Sequence, residues 1–183
     1  GHLAGWLARG GFFGVGVEGA AVVSAVVARA AEFRGSARVL RLVVGRDGDW
    51  RIEDRDLGEA KRLRVGLARE AVDENSIYLY HKTTRRAAYE RAKASRADCD
   101  EVLLWNGAGE LTEGTISNVV LRLDGEWVTP RRESGLLAGV YRRWLLDAGG
   151  VREALVMKED LARASEVYLV NSVRRRIEVT LVD

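Results

Sequence analysis

The most informative part of the sequence is the stretch YHKTTRRAAY, residues 80–89, which places a lysine between an apolar run and a basic segment. The apolar residues Ile77–Tyr80 predict a strand, and residues 84–97 predict a helix. Lys82 would then leave the end of a strand close to apolar surface. Partial desolvation lowers the pKa of an amine and exposes its neutral, nucleophilic form, so Lys82 is a candidate for covalent chemistry.

A second candidate lies in the polar run TEGTISN, residues 112–118, which contains a single carboxylate, Glu113. One interpretation is a loop between two strands whose hydroxyl groups satisfy nearby backbone groups. The other is that Glu113 holds the proton on the ring nitrogen of a cofactor, which is how a carboxylate tunes an electron sink. The residues alone leave both interpretations open.

Two further segments are candidates for binding a phosphate group. Residues 136–141, LLAGVY, lead directly into a predicted helix, so the amides of Val140 and Tyr141 would lie at its positive end. Asn171 and Ser172 follow a predicted strand and offer a hydroxyl together with backbone amides. Neither segment has the spacing of a nucleotide P-loop or of a dinucleotide-binding fingerprint.

The composition is typical of a globular protein with a small-molecule ligand. The 183 residues are 47% hydrophobic and 31% charged, and 29 basic residues against 27 acidic ones give a formal net charge of +2. This balance provides no electrostatic case for a nucleic-acid or anionic-membrane partner. Cys99 is the only cysteine, which excludes an internal disulfide and a cysteine-rich metal site. We expect a soluble, cytoplasmic protein without a metal.

The order of the predicted elements indicates an α+β fold in two parts. Residues 2–13 and 17–33 predict helices, and residues 37–44 and 49–53 predict a hairpin across the turn signal Asp47-Gly48. Residues 63–69 predict a further strand of the same antiparallel meander. Because residues 72–77 form a polar linker segment, we predict a small α+β lobe over residues 1–74 and a larger lobe over residues 75–183.

Taken together, these segments resemble the class IV aminotransferase family of pyridoxal-phosphate (PLP) enzymes, and within it the 4-amino-4-deoxychorismate lyases. Their order and spacing agree with the family over roughly residues 3–174. The matching segments are Tyr80 to Arg86 with Tyr89, Glu101 to Asn106, Leu111 to Val119, Trp127 to Pro130, Gly135 to Tyr141 with Arg142, and Leu169 to Arg174.

The resemblance implies a fold and a lysine-centred chemistry. The implied fold is the two-lobed fold type IV, like that of D-amino-acid aminotransferases, with a small antiparallel α+β lobe, a larger pseudo-barrel lobe and PLP in the cleft. By the same resemblance Lys82 attaches the cofactor and shuttles protons, and Glu113 pairs with the pyridine nitrogen. Homodimers are usual in the family, and we expect one here.

The resemblance also implies the remaining contacts of the cofactor and the substrate. The amides of Val140 and Tyr141, together with Ser172, hold the phosphate, and Asn118 lies in the run beside the cofactor without an assigned role. Arg174 either anchors a substrate carboxylate or is one of three solvated arginines.

Three functions remain open from the sequence. The first is a lyase of the folate pathway that converts 4-amino-4-deoxychorismate to 4-aminobenzoate and pyruvate. The second is a transaminase for D-amino or branched-chain amino acids. The third is a cofactor-free binding module, because Gly5 stands where the family usually carries a phosphate-binding arginine.

Overall fold

The computed structural model describes residues 18–33, 35, 37–45 and 47–183. The chain forms two compact units, the first ending at Glu59 and the second comprising Ala60–Asp183. The sequence prediction placed this boundary later, between residues 74 and 75. The difference arises because residues 63–67 pair with strands of the larger unit.

The first unit contains the predicted helix and hairpin. Helix α1 spans Gly19–Ala31, and strands β1 (Arg38–Val44) and β2 (Trp50–Asp56) pair antiparallel. Gly48 has a φ of 83°, a conformation that glycine adopts without a steric penalty in a tight turn. The predicted hairpin is therefore confirmed, whereas the predicted helix over residues 2–13 and the position of Gly5 lie outside the described residues.

The second unit contains an eight-stranded mixed sheet in the order β5-β4-β3-β10-β9-β6-β7-β8. Strand β3 pairs parallel with both β4 and β10, and β7 pairs parallel with β8, whereas the other neighbours are antiparallel. The strands are β3 (Leu63–Leu67), β4 (Glu101–Trp105), β5 (Leu111–Gly114), β6 (Asn118–Leu123), β7 (Glu126–Pro130), β8 (Arg152–Ala154), β9 (Glu166–Asn171) and β10 (Arg175–Leu181).

Three α-helices and two 3₁₀ helices connect these strands. They are α2 (Ile77–Tyr80), α3 (Ala87–Ala94), α4 (Val140–Asp147), and the 3₁₀ helices Arg132–Ser134 and Lys158–Arg163. The predicted strand at Ile77–Tyr80 is wrong, because these residues form one helical turn that buries Leu79 and exposes Ile77. An apolar run of four residues is too short for its periodicity to distinguish a helix from a strand.

Strand β4 is buried on both faces, and this positions helix α3. Leu103 packs with the buried residues Leu111 and Val119, whereas Val102 and Leu104 pack in a second cluster with residues of α3. Side chains alternate between the faces of a strand, so the two clusters lie on opposite sides of the sheet. The predicted α+β class is confirmed, and Tyr89 of α3 is held against the sheet.

Candidate active site

Glu113 is the centre of the candidate site and lies on β5, not in a loop. Thr112 and Gly114 beside it are also strand residues, whereas residues 115–117 form the loop between β5 and β6. The residue is only 4% exposed. A buried carboxylate needs hydrogen-bond donors around it, so the partners of Glu113 define the site.

Three uncharged groups donate hydrogen bonds to Glu113. The hydroxyl of Tyr89 and the backbone amide of Leu137 donate to Oε1, at 2.7 Å and 3.1 Å. The side-chain amide of Asn118 donates to Oε2 at 3.3 Å. These donors come from α3, from the segment before α4 and from β6, so three parts of the second unit meet at one carboxylate.

The environment of Glu113 favours its protonated form. Burial raises the pKa of Glu113 to about 8, although the Tyr89 and Leu137 hydrogen bonds and the charges of Arg86 and Lys82 act in the opposite direction. Burial and the neighbouring Glu113 charge raise the pKa of Tyr89 in turn. Tyr89 therefore remains a hydroxyl donor at neutral pH.

Lys82 lies in the chain between α2 and α3, and its positive charge acts on Glu113. The structure thus brings together the two residues that the sequence analysis ranked first. Lys82 follows a helical turn instead of the predicted strand end. Lys82 as a whole residue is exposed in the described structure.

Asn118 connects Glu113 to the start of helix α4. Its side-chain amide also donates to the carbonyl oxygen of Leu137, at 2.9 Å. A Cβ at Gly139 would overlap Oδ1 of Asn118, so the chain approaches that side chain closely just before the helix. Val140 and Tyr141 follow as the first residues of α4, where backbone amides have no acceptor within the helix.

Ser172 and Arg174 lie in the turn between β9 and β10. Oδ1 of Asn171 accepts hydrogen bonds from the backbone amides of residues 173 and 174 and so shapes this turn. Asn118 at the start of β6 is paired with Val170 near the end of β9. The turn after β9 therefore lies at the same end of these two strands as Asn118. The described structure therefore places the turn that carries Ser172 near Asn118, and the role of Ser172 stays a prediction.

Sequence reasoning missed the roles of Tyr89 and Arg86. The guanidinium of Arg86 lies over the Tyr89 ring at 4.6 Å from its centroid and donates a hydrogen bond to the carbonyl oxygen of Thr115. Both residues belong to the segments that carry the family resemblance, and their spacing of three residues on a predicted helix places the two side chains on one face. Tyr89 meets Glu113 only through the tertiary fold.

In the part of the chain that the structure describes, no group of three or more His, Cys, Asp or Glu side chains could hold a metal ion. No described helix is long and apolar enough to cross a membrane.

Comparison with known proteins identifies the family. The model of the family described as amino-transferase class IV matches residues 21–182. A Schizosaccharomyces pombe protein assigned as an aminodeoxychorismate lyase is 37% identical over 109 residues, which are 56% of this chain and 47% of that protein. The aminodeoxychorismate lyase of Saccharomyces cerevisiae is 33% identical over 127 residues, covering 58% of this chain and 34% of that protein. The chain thus spans half or less of the length of these relatives.

Solved structures give the same result over more of the chain. The crystal structure of a Mesorhizobium loti protein assigned as an amino-acid aminotransferase is 35% identical, with a TM-score of 0.90 over 99% of this chain and 90% of that one. A Thermotoga maritima protein assigned as a branched-chain aminotransferase is 22% identical, with a TM-score of 0.79 over 92% of this chain and 65% of that one. These likenesses confirm the predicted fold type IV. The chain therefore belongs to the class IV aminotransferase family.

Proposed function

We propose that this protein is a PLP-dependent enzyme, and that it is a lyase acting on 4-amino-4-deoxychorismate. The observation that carries the proposal is Glu113, a buried carboxylate whose three described donors are all uncharged. Such a group suits a ligand that brings a positive charge, because a charge-assisted hydrogen bond offsets the loss of hydration of both partners. The protonated nitrogen of a pyridine ring is a ligand group of this kind.

The described residues fit the three functional parts of PLP. Glu113 would hold the ring nitrogen, and the amine of Lys82 would attach the aldehyde carbon. The first-turn amides of Val140 and Tyr141, with the hydroxyl of Ser172, would hold the phosphate at the positive end of α4. When bound, PLP supplies an electron sink that stabilises negative charge on the substrate carbon next to the amino group.

The lyase reaction then assigns separate tasks to this chain's own residues. The amine of Lys82 would act as the general base that removes the proton from the amino-bearing ring carbon. Loss of pyruvate then makes the ring aromatic and yields 4-aminobenzoate. Arg174 would hold a substrate carboxylate, and Glu113 would keep the ring nitrogen protonated throughout.

The test is release of pyruvate and 4-aminobenzoate by the purified protein supplied with PLP and 4-amino-4-deoxychorismate. We expect Lys82→Ala to lower the rate on the order of 1,000-fold or more, because it removes both the covalent attachment and the base. Lys61→Ala is the matched control, since Lys61 is a surface lysine that pairs with Asp100 at 2.9 Å. Absence of pyruvate release by the folded, PLP-loaded protein would refute the lyase proposal.

Transamination is the second candidate on the same residues. It is favoured by the similarity to the Mesorhizobium loti protein assigned as an amino-acid aminotransferase, which extends over nearly the whole chain. A transaminase would share proton removal by Lys82 and then return the proton at a different carbon. Amino transfer from D-amino or branched-chain amino acids that depends on an added keto acid, without pyruvate release from aminodeoxychorismate, would select this alternative.

A further inference from the structure

The two oxygens of the Glu113 carboxylate have different surroundings. Oε1 accepts two hydrogen bonds, from the hydroxyl of Tyr89 at 2.7 Å and from the amide of Leu137 at 3.1 Å. Oε2 accepts one longer hydrogen bond, from Asn118 at 3.3 Å. A carboxylate oxygen offers about two lone-pair sites. The described donors therefore fill the acceptor sites of Oε1 and leave acceptor capacity on Oε2.

The Tyr89 hydroxyl is held in place by its surroundings. The ring is 7% exposed and packs in one cluster with Leu79, Val102 and Leu104. Arg86 covers the ring face and is itself fixed by its hydrogen bond to the carbonyl oxygen of Thr115. A hydroxyl on a ring packed in this way has little freedom to leave Oε1.

We propose that Tyr89 is a positioning residue, whose hydroxyl occupies Oε1 of Glu113 and so leaves Oε2 as the oxygen that accepts the proton-bearing ring nitrogen of the cofactor. The inference rests on the proposed PLP-dependent function and specifies how the site presents its carboxylate. Leu137 contributes the second donor to Oε1 through its backbone, so only Tyr89 can be tested by a side-chain substitution.

Removal of the Tyr89 hydroxyl should change the pKa of Glu113, which neighbouring charged groups also influence. The positive charges of Arg86 and Lys82, which both precede α3 in the chain, lower the pKa of Glu113. On the neighbouring strand β4, the carboxylate of Glu101 accepts hydrogen bonds from the amide and hydroxyl of Thr115. Tyr89 donates to the ionised form of Glu113, so its removal should raise the pKa of that carboxyl further.

The experiment is a ¹³C NMR titration of the glutamate carboxyl groups in the unliganded protein, with the Glu113 signal assigned by its loss in Glu113→Gln. We expect a wild-type midpoint at about 8. In Tyr89→Phe the midpoint should rise by roughly one pH unit or more, which is the worth of one hydrogen bond to a carboxylate. Tyr80→Phe is the matched control, because the Tyr80 hydroxyl donates to the Glu74 carbonyl oxygen and should leave the midpoint unchanged.

An unchanged Glu113 midpoint in folded Tyr89→Phe would overturn the inference, because a merely structural tyrosine would not move a carboxyl titration. The proposed function is tested separately by retention of PLP in the wild-type protein. If wild type retains PLP but Tyr89→Phe leaves the Glu113 midpoint unchanged, only the role of Tyr89 fails. If the midpoint shifts but wild type retains no PLP, the proposed function fails and the assignment of Oε2 to a ring nitrogen fails with it.

Discussion

Glu110 and Glu113 are two glutamates with little solvent exposure, and their pKa values are shifted in opposite directions. Glu110 is 8% exposed and accepts hydrogen bonds from Ser134 at 2.6 Å, Arg131 at 2.7 Å and Asn106 at 3.2 Å. The Ser134 hydrogen bond and the Arg131 guanidinium hold the pKa of Glu110 below its ordinary value. For Glu113, burial dominates and raises the pKa to about 8.

The different partners of the two glutamates indicate a structural role for Glu110 and a ligand-binding role for Glu113. Arg131 contacts Glu110 directly and is itself 40% exposed, so the Glu110 charge is neutralised within the protein. The described donors to Glu113 are uncharged, and its nearby cations act on it without an ion pair among the described residues. Within the described part of the chain, Glu110 therefore has a cationic partner and Glu113 has none in direct contact.

The largest expected difference between the two glutamates is in activity. Glu113→Gln should lower the PLP-dependent rate by roughly 100-fold or more, because an amide cannot keep a ring nitrogen protonated. The rate of Glu110→Gln should stay within about tenfold of the wild-type rate when both proteins are assayed below their unfolding temperatures. The reason is that Glu110 stabilises the fold and has no proposed contact with the cofactor. Steady-state rates on the active substrate measure both variants, and equal losses in the two would remove the distinction.

The second expected difference is in the pH dependence of stability of the unliganded protein. The folded pKa of Glu113 is about 8 and its ordinary value is 4.5, so the folded state binds the extra proton between these values and stability falls as pH rises through them. The contribution of Glu110 has the opposite sign, being present above about pH 4.5 and lost as pH falls.

Urea denaturation of wild type, Glu113→Gln and Glu110→Gln across pH 4 to 9 measures these contributions. In wild type, the free energy of unfolding should fall by about 5 kcal/mol between acidic and alkaline pH because of Glu113, and Glu113→Gln should remove this fall. Glu110→Gln should instead destabilise the protein by about 2 kcal/mol near neutral pH. Parallel curves for wild type and Glu113→Gln would contradict the raised pKa.

The smallest expected effect concerns the link between the Glu113 site and helix α4, which Glu110 lacks. Gly139→Ala would force its Cβ against Oδ1 of Asn118 and should lower the free energy of unfolding by about 1–3 kcal/mol while weakening PLP binding. Gly150→Ala is the matched control, because a Cβ there meets nothing within 4 Å. Thermal unfolding and PLP titration of both variants check the prediction, and a tolerated Gly139→Ala would argue against a tight Asn118 contact.

The parts that the sequence predicted correctly are those set by local chemistry. The Asp47-Gly48 turn predicts its hairpin because glycine tolerates the positive φ that the turn requires. The predicted helix that follows Gly139 is likewise observed, as α4 beginning at Val140. The importance of Lys82 and Glu113 came from the resemblance to the family, since each residue alone is unremarkable.

The parts that the sequence missed depend on distant contacts. Strand β3 was assigned to the small lobe, but its parallel partners β4 and β10 lie far along the chain, and no local pattern identifies them. Tyr89 is 24 residues from Glu113, and its hydrogen bond exists only after α3 packs on the sheet. The pKa values of Glu110 and Glu113 shift in opposite directions because burial dominates at Glu113, whereas hydrogen bonds and the Arg131 charge dominate at Glu110.

The most direct test of a cofactor site at Glu113 and Lys82 is an absorption spectrum of the protein after incubation with PLP and removal of the unbound cofactor, alongside Lys82→Ala. We predict that wild type retains the visible absorption band of lysine-bound PLP and that Lys82→Ala loses it. A folded wild-type sample that retains no such band would contradict the assignment of this site to PLP.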